Sequence, residues 1–294
     1  MAERRRIVQW LVLLGSNANV SGFLNGRIYR GSLKSVCVPG LNCYSCPGAL
    51  ASCPIGSLQA LISSYQYRFS FYVTGLMLGF AILFGRFVCG FLCPFGLIQE
   101  LIYKIPFYKV KNTKTRLWRA AGYGKYVTLA VFVIGLPLLA RGEMGIGSPA
   151  FCKYICPAGT LTAGLPLLAA NGPMRESAGA LFALKASVAA AVILGCLSVF
   201  RFFCRTLCPL GAFYGFFNRI SIYQLRFDEN NCVHCGACAN ACKMDVDPSR
   251  ALHSPDCVRC GDCVASCRAS ALSAGFASRG QPKKFTQASG ATAD

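Results

Sequence analysis

Histidine is nearly absent from this chain, whose 294 residues include only His234 and His253. Two histidines are too few for a histidine-rich metal site. The sequence also contains no phosphate-binding glycine loop and no recognisable pairing of a nucleophile with a base. The common catalytic constellations for hydrolysis and group transfer are therefore missing, and any chemistry must come from another residue type.

Charged residues are scarce as well. They make up 14% of the chain against 54% hydrophobic residues, and the mean hydropathy is +0.46, a balance that suits a membrane protein better than a soluble enzyme. The 30 basic residues outnumber the 11 acidic ones, which gives a formal charge of +19. Such a charge can indicate nucleic-acid binding, but these basic residues lie beside apolar segments, where they orient membrane helices. We expect a membrane and no nucleic acid as partner.

Cysteine, in contrast, is abundant, with 19 residues, and the spacing C-x2-C-x2-C-x3-C occurs twice near the C-terminus. In such runs three cysteines bind one [4Fe–4S] cube and the fourth binds the other. The spacing therefore predicts two cubes, one on Cys232, Cys235, Cys238 and Cys267, the other on Cys257, Cys260, Cys263 and Cys242. A zinc site would leave the third cysteine of each run unused, and a disulfide framework would need an extracellular domain with little core.

This stretch resembles the bacterial two-cluster ferredoxins. Gly236 and Gly261 stand where the backbone must bend close to sulfur, which suits a residue without a Cβ. Lys243 and Arg268 replace the proline that usually follows the fourth cysteine. The replacement affects loop stiffness and reduction potential but removes no ligand.

Four apolar segments approach the length of about twenty residues that crosses a bilayer. They are Ile7–Leu24, Phe69–Val88, Tyr126–Ala140 and Gly179–Phe203. A cleaved signal peptide is the alternative for the first one, because Arg4–Arg6 precede it. Two shorter apolar segments, Ile55–Ile62 and Thr160–Ala170, are expected to be interfacial or re-entrant.

Lysine and arginine indicate the orientation. They are concentrated after the second apolar segment, at Lys104, Lys109, Lys111, Lys114, Arg116, Arg119 and Lys125. The positive-inside rule then places both termini of a multi-pass inner-membrane protein in the cytoplasm. We expect a mainly α fold with a membrane domain over 1–222, a small α+β ferredoxin-like domain over 223–276, and a disordered tail over 277–294.

The membrane domain contains an internal repeat. Arg86–Gly96 and Arg201–Gly211 share seven of eleven residues, and Cys53–Leu58 matches Cys156–Leu161. Both halves have the same order, which predicts a parallel repeat about an axis along the membrane normal. The axis brings together the inner cysteines Cys89, Cys93, Cys204 and Cys208, the ligand set of a third cube. The alternative is that these cysteines only pack at helix ends.

The repeated arginines have two interpretations. Arg86 and Arg201 either offset the charge of this third cluster or anchor their helices at the membrane interface.

Six more cysteines belong to the opposite side of the membrane domain. They are Cys37, Cys43, Cys46, Cys53, Cys152 and Cys156. Six exceed the needs of one cube, so one or two further clusters are expected in the membrane domain as a whole. The sequence leaves open which four would bind, and disulfides are the alternative on this side. Cys196 stands alone and is expected to pack in the core.

Four spans, C-x3-C-P motifs at helix ends and a C-terminal two-cluster domain together resemble the NapH family. These are membrane components of quinol dehydrogenases, related to the membrane parts of NosR- and CcoG-type proteins. The resemblance implies an electron-transfer subunit that connects a ferredoxin-like or flavoprotein carrier, the quinone pool and other redox subunits. Two further hypotheses are a maturation factor for another metalloenzyme and a redox-sensing regulator.

The outer motifs Asn42–Pro47 and Phe151–Pro157 carry cysteines beyond the family's pattern. This difference leaves open whether quinol is the electron donor, as it is in the family. Glu100 and Lys104 are candidates for proton exchange with a quinone by position.

Overall fold

The fold is described from a computed structural model over residues 2–63, 71–110, 115–139 and 147–276. Within these ranges the chain is mostly helical and contains one two-stranded sheet, in agreement with the expected class. The tail that was expected to be disordered, 277–294, lies outside them, as do parts of the expected second and third spans.

The helices before the C-terminal domain form three consecutive groups. The first group is α1 Ala2–Ser16, α2 Val20–Asn25 and α3 Pro54–Ser63. The second is α4 Phe71–Phe84, α5 Phe87–Phe91, α6 Pro94–Tyr103 and α7 Arg116–Leu139. The third is α8 Phe151–Ile155, α9 Pro157–Ala170, α10 Gly172–Glu176, α11 Ala180–Ser198, α12 Phe202–Thr206 and α13 Pro209–Phe217.

The C-terminal domain is built on two strands, β1 Tyr223–Phe227 and β2 Leu272–Phe276, with the short helices α14 Ala237–Ala241 and α15 Asp262–Ala265 between them. The strands pair antiparallel, with Tyr223 opposite Phe276. Leu225 and Leu272 pack with Cys263 in a small core of their own. The sheet therefore closes the two cysteine runs into one unit.

The repeated Cys-Pro motifs adopt the same local structure in both halves. Cys93 and Cys208 cap helices α6 and α13 in an extended conformation, and a proline follows each of them as the first helical residue. Proline suits this position because its missing amide hydrogen would have no partner there anyway. Each motif therefore holds its second cysteine at the start of a helix.

Two helices, α7 and α11, are long and apolar enough to cross a membrane, by length and composition, and they overlap the third and fourth expected spans. The first expected span is divided, because α1 ends at Ser16 and α2 begins at Val20. Asn17 contributes to the break by donating its side-chain amide to the Leu13 carbonyl.

The second expected span is represented by α4, which ends where Gly85 adopts a positive φ of 54°. The count of four spans stays a prediction.

The C-terminal domain is fixed to the helices through Asn218. Its Nδ2 donates to the carbonyls of Ser254 and Cys257 at 2.9 and 2.8 Å, and its Oδ1 accepts from the Arg86 amide at 2.9 Å. Arg259 adds bonds to the Phe84 carbonyl and the Ser221 hydroxyl at 3.1 and 2.6 Å. One buried asparagine therefore joins the first half, the second half and the C-terminal domain.

Replacing Asn218 should loosen this junction. Asn218→Ala leaves two carbonyls and one amide without their partner, and each buried group left unpaired costs about 1–3 kcal/mol. We expect a lower unfolding temperature and faster proteolysis within 219–222. Asn230→Ala is the matched control, because Asn230 is exposed. Equal behaviour of the two variants would contradict the role given to Asn218.

Candidate metal centres

All 19 cysteines lie in the described ranges, and none of them forms a disulfide. Within those ranges no three side chains of histidine, cysteine, aspartate or glutamate are close enough to hold one metal ion. A [4Fe–4S] cube differs from an ion because it takes one thiolate at each of four corners, so its ligands surround a space. Each predicted cysteine set can be tested against that requirement.

The cysteine set completed by Cys242 surrounds a space in this way. Cys242, Cys257, Cys260 and Cys263 line one cavity whose other walls are largely apolar, including Leu225 and Met244. Three of these cysteines come from the second run and Cys242 comes from the first. The residues therefore fit a cube in the crossed grouping that the spacing predicts.

Electrostatics gives the same grouping. The pKa of the Cys263 thiol is raised to about 12, mainly by burial and then by the charges of Cys260, Cys257 and Cys242. Cluster binding requires thiolates, so it must displace these protons.

The set completed by Cys267 lies nearer the surface. Cys235 is exposed, and Cys232, Cys238 and Cys267 are half-buried. Cys238 and Cys267 pack against the same small core of Leu225, Cys263 and Leu272. The last cysteine of the second run therefore lies beside a cysteine of the first.

The two runs also share their backbone geometry. Gly236 and Gly261 precede α14 and α15 with φ of 70° and 82°. His234 and Arg259, at the matching positions before them, also have positive φ. The expected close bends at the two glycines are therefore present.

The four inner cysteines are all buried, and the structure brings them together. A hydrogen bond with Cys208 lowers the pKa of Cys204, with Arg201 and Arg86 lowering it further against the effect of burial. Burial raises the pKa of Cys93, and Cys204 and Cys89 raise it again. The predicted pairing of the two C-x3-C-P motifs therefore corresponds to a real cluster of side chains.

The repeated arginines are exchanged between the two halves. Arg86 donates to the Cys204 carbonyl at 2.8 Å, and Arg201 donates to the Cys89 carbonyl at 2.6 Å. Both side chains are fully buried, so interfacial anchoring does not describe them. Their charges face the four thiols, where they would offset the negative charge of a bound cube.

Acidic residues pair with both arginines. Arg201 bonds Glu100 at 2.5 Å, and Arg86 bonds Asp256 of the C-terminal domain at 3.2 Å. Glu100 also accepts from the buried Arg5 of α1 at 3.3 Å. Glu100 is therefore placed as a counter-ion of Arg201 and Arg5, and its role in proton exchange stays a prediction. Lys104, the other candidate for proton exchange, is exposed.

Gln99 is the residue that sequence reasoning missed. Its Nε2 donates to Cys204 Sγ at 3.0 Å, and its Oε1 accepts from the Phe203 amide at 3.1 Å. The buried Cys196 thiol donates to the same Oε1 at 3.6 Å, in line with its expected role in the core. Its position in the sequence could have indicated this role. Gln99 lies six residues after Cys93 in a C-P-x-G-x-x-Q pattern, and the same pattern occurs from Cys53 to Gln59.

The six outer cysteines do not form a single group. Cys53 and Cys156 precede α3 and α9, Cys152 lies in α8, and Cys43 lies in the loop between α2 and α3. Cys37 and Cys46 lie in the same loop. Serine hydroxyls lie beside Cys37, and Cys46 is buried in an apolar cluster against which Cys43 also packs.

Comparison with known proteins agrees with an iron–sulfur assignment. One family model, described as a 4Fe-4S binding domain, matches residues 69–113, 127–168 and 180–225, and a second of the same description matches 225–246. The uncharacterized protein MJ0750 of Methanocaldococcus jannaschii is 31% identical over 198 residues, which are 67% of this chain and 74% of that protein.

The chain belongs to the family of MJ0750.

More distant similarity extends to two named proteins. The methylamine utilization ferredoxin-type protein MauN of Methylorubrum extorquens is 27% identical over 177 residues, covering 57% of this chain and 50% of MauN. The regulatory protein NosR of Stutzerimonas stutzeri is 30% identical over 177 residues, covering 56% of this chain and 21% of NosR. The chain thus spans half or less of these two relatives. No solved structure matches it.

The family match coincides with the cysteine motifs. Its first segment contains Cys89 and Cys93, and its last contains Cys204 and Cys208. The chain therefore carries ferredoxin-type 4Fe-4S binding domains, and the narrower NapH assignment stays a prediction.

The crossed grouping leads to a specific result for Cys242→Ala. This change should remove the cluster signal of Cys257, Cys260 and Cys263 and lower iron and sulfide by the content of one cube. EPR of the anaerobically purified, reduced protein measures the signals, and Cys235→Ala identifies the other C-terminal cluster. Cys196→Ala should leave the iron unchanged. Loss of the Cys232 signal in Cys242→Ala would contradict the crossed assignment.

Proposed function

We propose that the chain is a membrane-bound relay that carries single electrons between a cytoplasmic carrier or the quinone pool and a partner redox enzyme. The observation that carries this proposal is the contact between successive cysteine sets, from the exposed C-terminal set to the buried inner one. A [4Fe–4S] cube supplies one-electron transfer when it is bound. Two cubes in the C-terminal domain and one on the inner cysteines would form the relay.

The cavity with Cys242 and the inner cysteines adjoin each other through one shared side chain. Arg86 donates from Nη2 to the Cys204 carbonyl and from Nη1 to the Pro255 carbonyl, two residues before Cys257. The Val258 carbonyl also lies so close to Gly90 that a Cβ there would be 2.6 Å from its oxygen. Inner cysteines and wall residues of this cavity therefore belong to one packed cluster. Their proximity favours transfer, because electron transfer weakens steeply with distance.

The exposed C-terminal set is the natural entry point for a soluble carrier. Cys235 is exposed, whereas all four inner cysteines are buried. A carrier of ferredoxin or flavoprotein type can approach the C-terminal set but not the inner set. Electrons therefore enter or leave the relay at the C-terminal set, on the cytoplasmic side. The buried sets keep the later steps away from solvent.

Two outward-facing helices support a membrane location. In the most apolar windows of α7 and α11 only 22% and 17% of the residues are buried, whereas a core helix would be mostly buried. Large apolar side chains are exposed along them, including Leu117, Val131, Leu139, Leu184 and Leu194. Such a surface is unusual in a soluble monomer. A multi-pass arrangement with four spans and cytoplasmic termini is part of the proposal.

A redox-sensing regulator is the second candidate, because one relative is named a regulatory protein. The Asp256 contact gives it a physical basis. Burial disfavours the charged carboxylate, but Arg86 and Lys125 hold the pKa of Asp256 below its usual range. The C-terminal domain is therefore held to the helices partly by charge, which a change of cluster charge would affect.

Electron flow across a membrane separates the relay from the regulator. The full chain is inserted into vesicles that contain ferricyanide, and dithionite is added outside. A relay should bleach the trapped ferricyanide much faster than protein-free vesicles do. Cys93→Ser should reduce the rate toward that background, whereas Cys37→Ser should not. If the unmodified, cluster-loaded chain bleached ferricyanide no faster than protein-free vesicles do, the relay would be rejected and the regulator favoured.

The proposed orientation can be measured separately. Reporter fusions after Asn112 and after Gly275 should report the cytoplasm, and a fusion after Gly172 should report the opposite side, because the basic residues cluster around 104–125. A periplasmic report at Gly275 would reject the orientation. The relay itself would then need an electron donor on the other side.

A further inference from the structure

We infer that the outer cysteines bind a fourth [4Fe–4S] cluster through Cys43, Cys53, Cys152 and Cys156, with Gln59 donating a hydrogen bond to it, and that Cys37 and Cys46 are not ligands. The inference extends the proposed relay. It is tested by counting iron, so the relay and the outer site can fail independently.

The outer and inner sites are built from the same two sequence patterns. C-P-x-G-x-x-Q occurs at Cys53–Gln59 and again at Cys93–Gln99. F-C-x3-C-P-x-G occurs at Phe151–Gly159 and again at Phe203–Gly211. Each site therefore combines one copy of each pattern, which accounts for three of its four cysteines. The fourth differs in position, because Cys89 lies four residues before Cys93 whereas Cys43 lies ten residues before Cys53.

The two glutamines make the same contacts. Gln59 donates from Nε2 to Cys152 Sγ at 3.3 Å and accepts at Oε1 from the Phe151 amide at 3.0 Å. Gln99 makes the equivalent bonds to Cys204 Sγ and the Phe203 amide at 3.0 and 3.1 Å. Each Nε2 also contacts the carbonyl four residues earlier in its own helix, at 3.4 Å.

Both glutamines are almost completely buried. A buried neutral amide directed at a cysteine sulfur is the type of outer contact that orients a ligand and tunes its metal site.

The structure supplies Cys43 as the fourth ligand. A Cβ on Gly56 would lie 3.8 Å from Cys152 Sγ and 3.9 Å from the Cys53 Cβ. Cys53 and Cys156 belong to one buried cluster, and Cys152 packs against it. A Cβ on Gly159 would lie 3.5 Å from Cys43 Sγ, which places Cys43 beside the start of α9. Four thiols are therefore mutual neighbours, the number that a cube needs.

The remaining two outer cysteines have other environments. Cys37 Sγ lies 3.2 Å from the Ser52 hydroxyl and 3.4 Å from the Ser57 hydroxyl. Cys46 is buried with Ala49, Ala163 and Leu167, and Cys43 packs against the edge of this apolar cluster. Cys43 therefore lies between Cys46 and the other three cysteines, whereas Cys46 itself is surrounded mainly by apolar side chains. We assign Cys43 to the ligands on this basis and Cys37 and Cys46 to structural roles.

The outer site lies close enough to the inner one to continue the relay. The loop before α3 connects them, because the Leu41 amide donates to Cys93 Sγ at 3.4 Å and Cys43 is two residues further along the chain.

Six single substitutions to serine test the ligand set in the full chain, purified without oxygen. The unmodified protein should contain the iron and sulfide of four cubes. Serine at position 43, 53, 152 or 156 should lower both by the content of one cube, whereas Cys37→Ser and Cys46→Ser should retain all four. Only three cubes in the unmodified protein, or a loss caused by Cys46→Ser and not by Cys43→Ser, would overturn the assignment.

A second measurement covers variants that fail to fold. Gln59→Leu keeps the size of the side chain but removes the hydrogen bond to sulfur, so the outer cluster should be retained with a lower reduction potential in an EPR titration. Gln99→Leu should shift a different signal, and neither change should move the two C-terminal signals. A Gln59→Leu protein with four cubes and unchanged potentials would remove Gln59 from the site.

Discussion

The exchange of two buried arginines between the halves of the chain is the interaction on which the structure depends. Arg86 and Arg201 each bond a cysteine carbonyl of the opposite half, and each also pairs with an acidic residue. A charge buried without partners costs several kcal/mol, so neither guanidinium is tolerated unless both halves are in place. The four inner thiols are brought together by this requirement, and the C-terminal domain is attached through Asp256.

A second constraint is the shortness of the helices that carry the cysteines. Proline after Cys53, Cys93, Cys156 and Cys208 ends the preceding segment and begins the next helix. The thiols therefore collect at helix starts in the interior of the helical domain. The longer helices α7 and α11 remain mostly outside this interior, with their apolar side chains exposed.

Spacing alone predicted the crossed grouping of Cys242 with the second run, and repetition predicted the inner four, because both follow from local or duplicated patterns. The division of the outer six could not be predicted, since it depends on contacts such as Gln59 with Cys152, 93 residues apart. Hydropathy did not predict the break between α1 and α2, because it does not register that the Asn17 side chain bonds the helix backbone. The ion pairs of Glu100 could not be predicted, because its partners, Arg5 and Arg201, are distant in sequence.

The exchanged arginines also have a consequence for biosynthesis. Arg86 leaves the ribosome 118 residues before the carbonyl of Cys204 and 170 residues before the carboxylate of Asp256. During this interval the nascent first half holds a guanidinium whose final partners have not yet been synthesised. The four inner cysteines are complete only once Cys208 has been made, so this site cannot assemble before the second half of the chain exists.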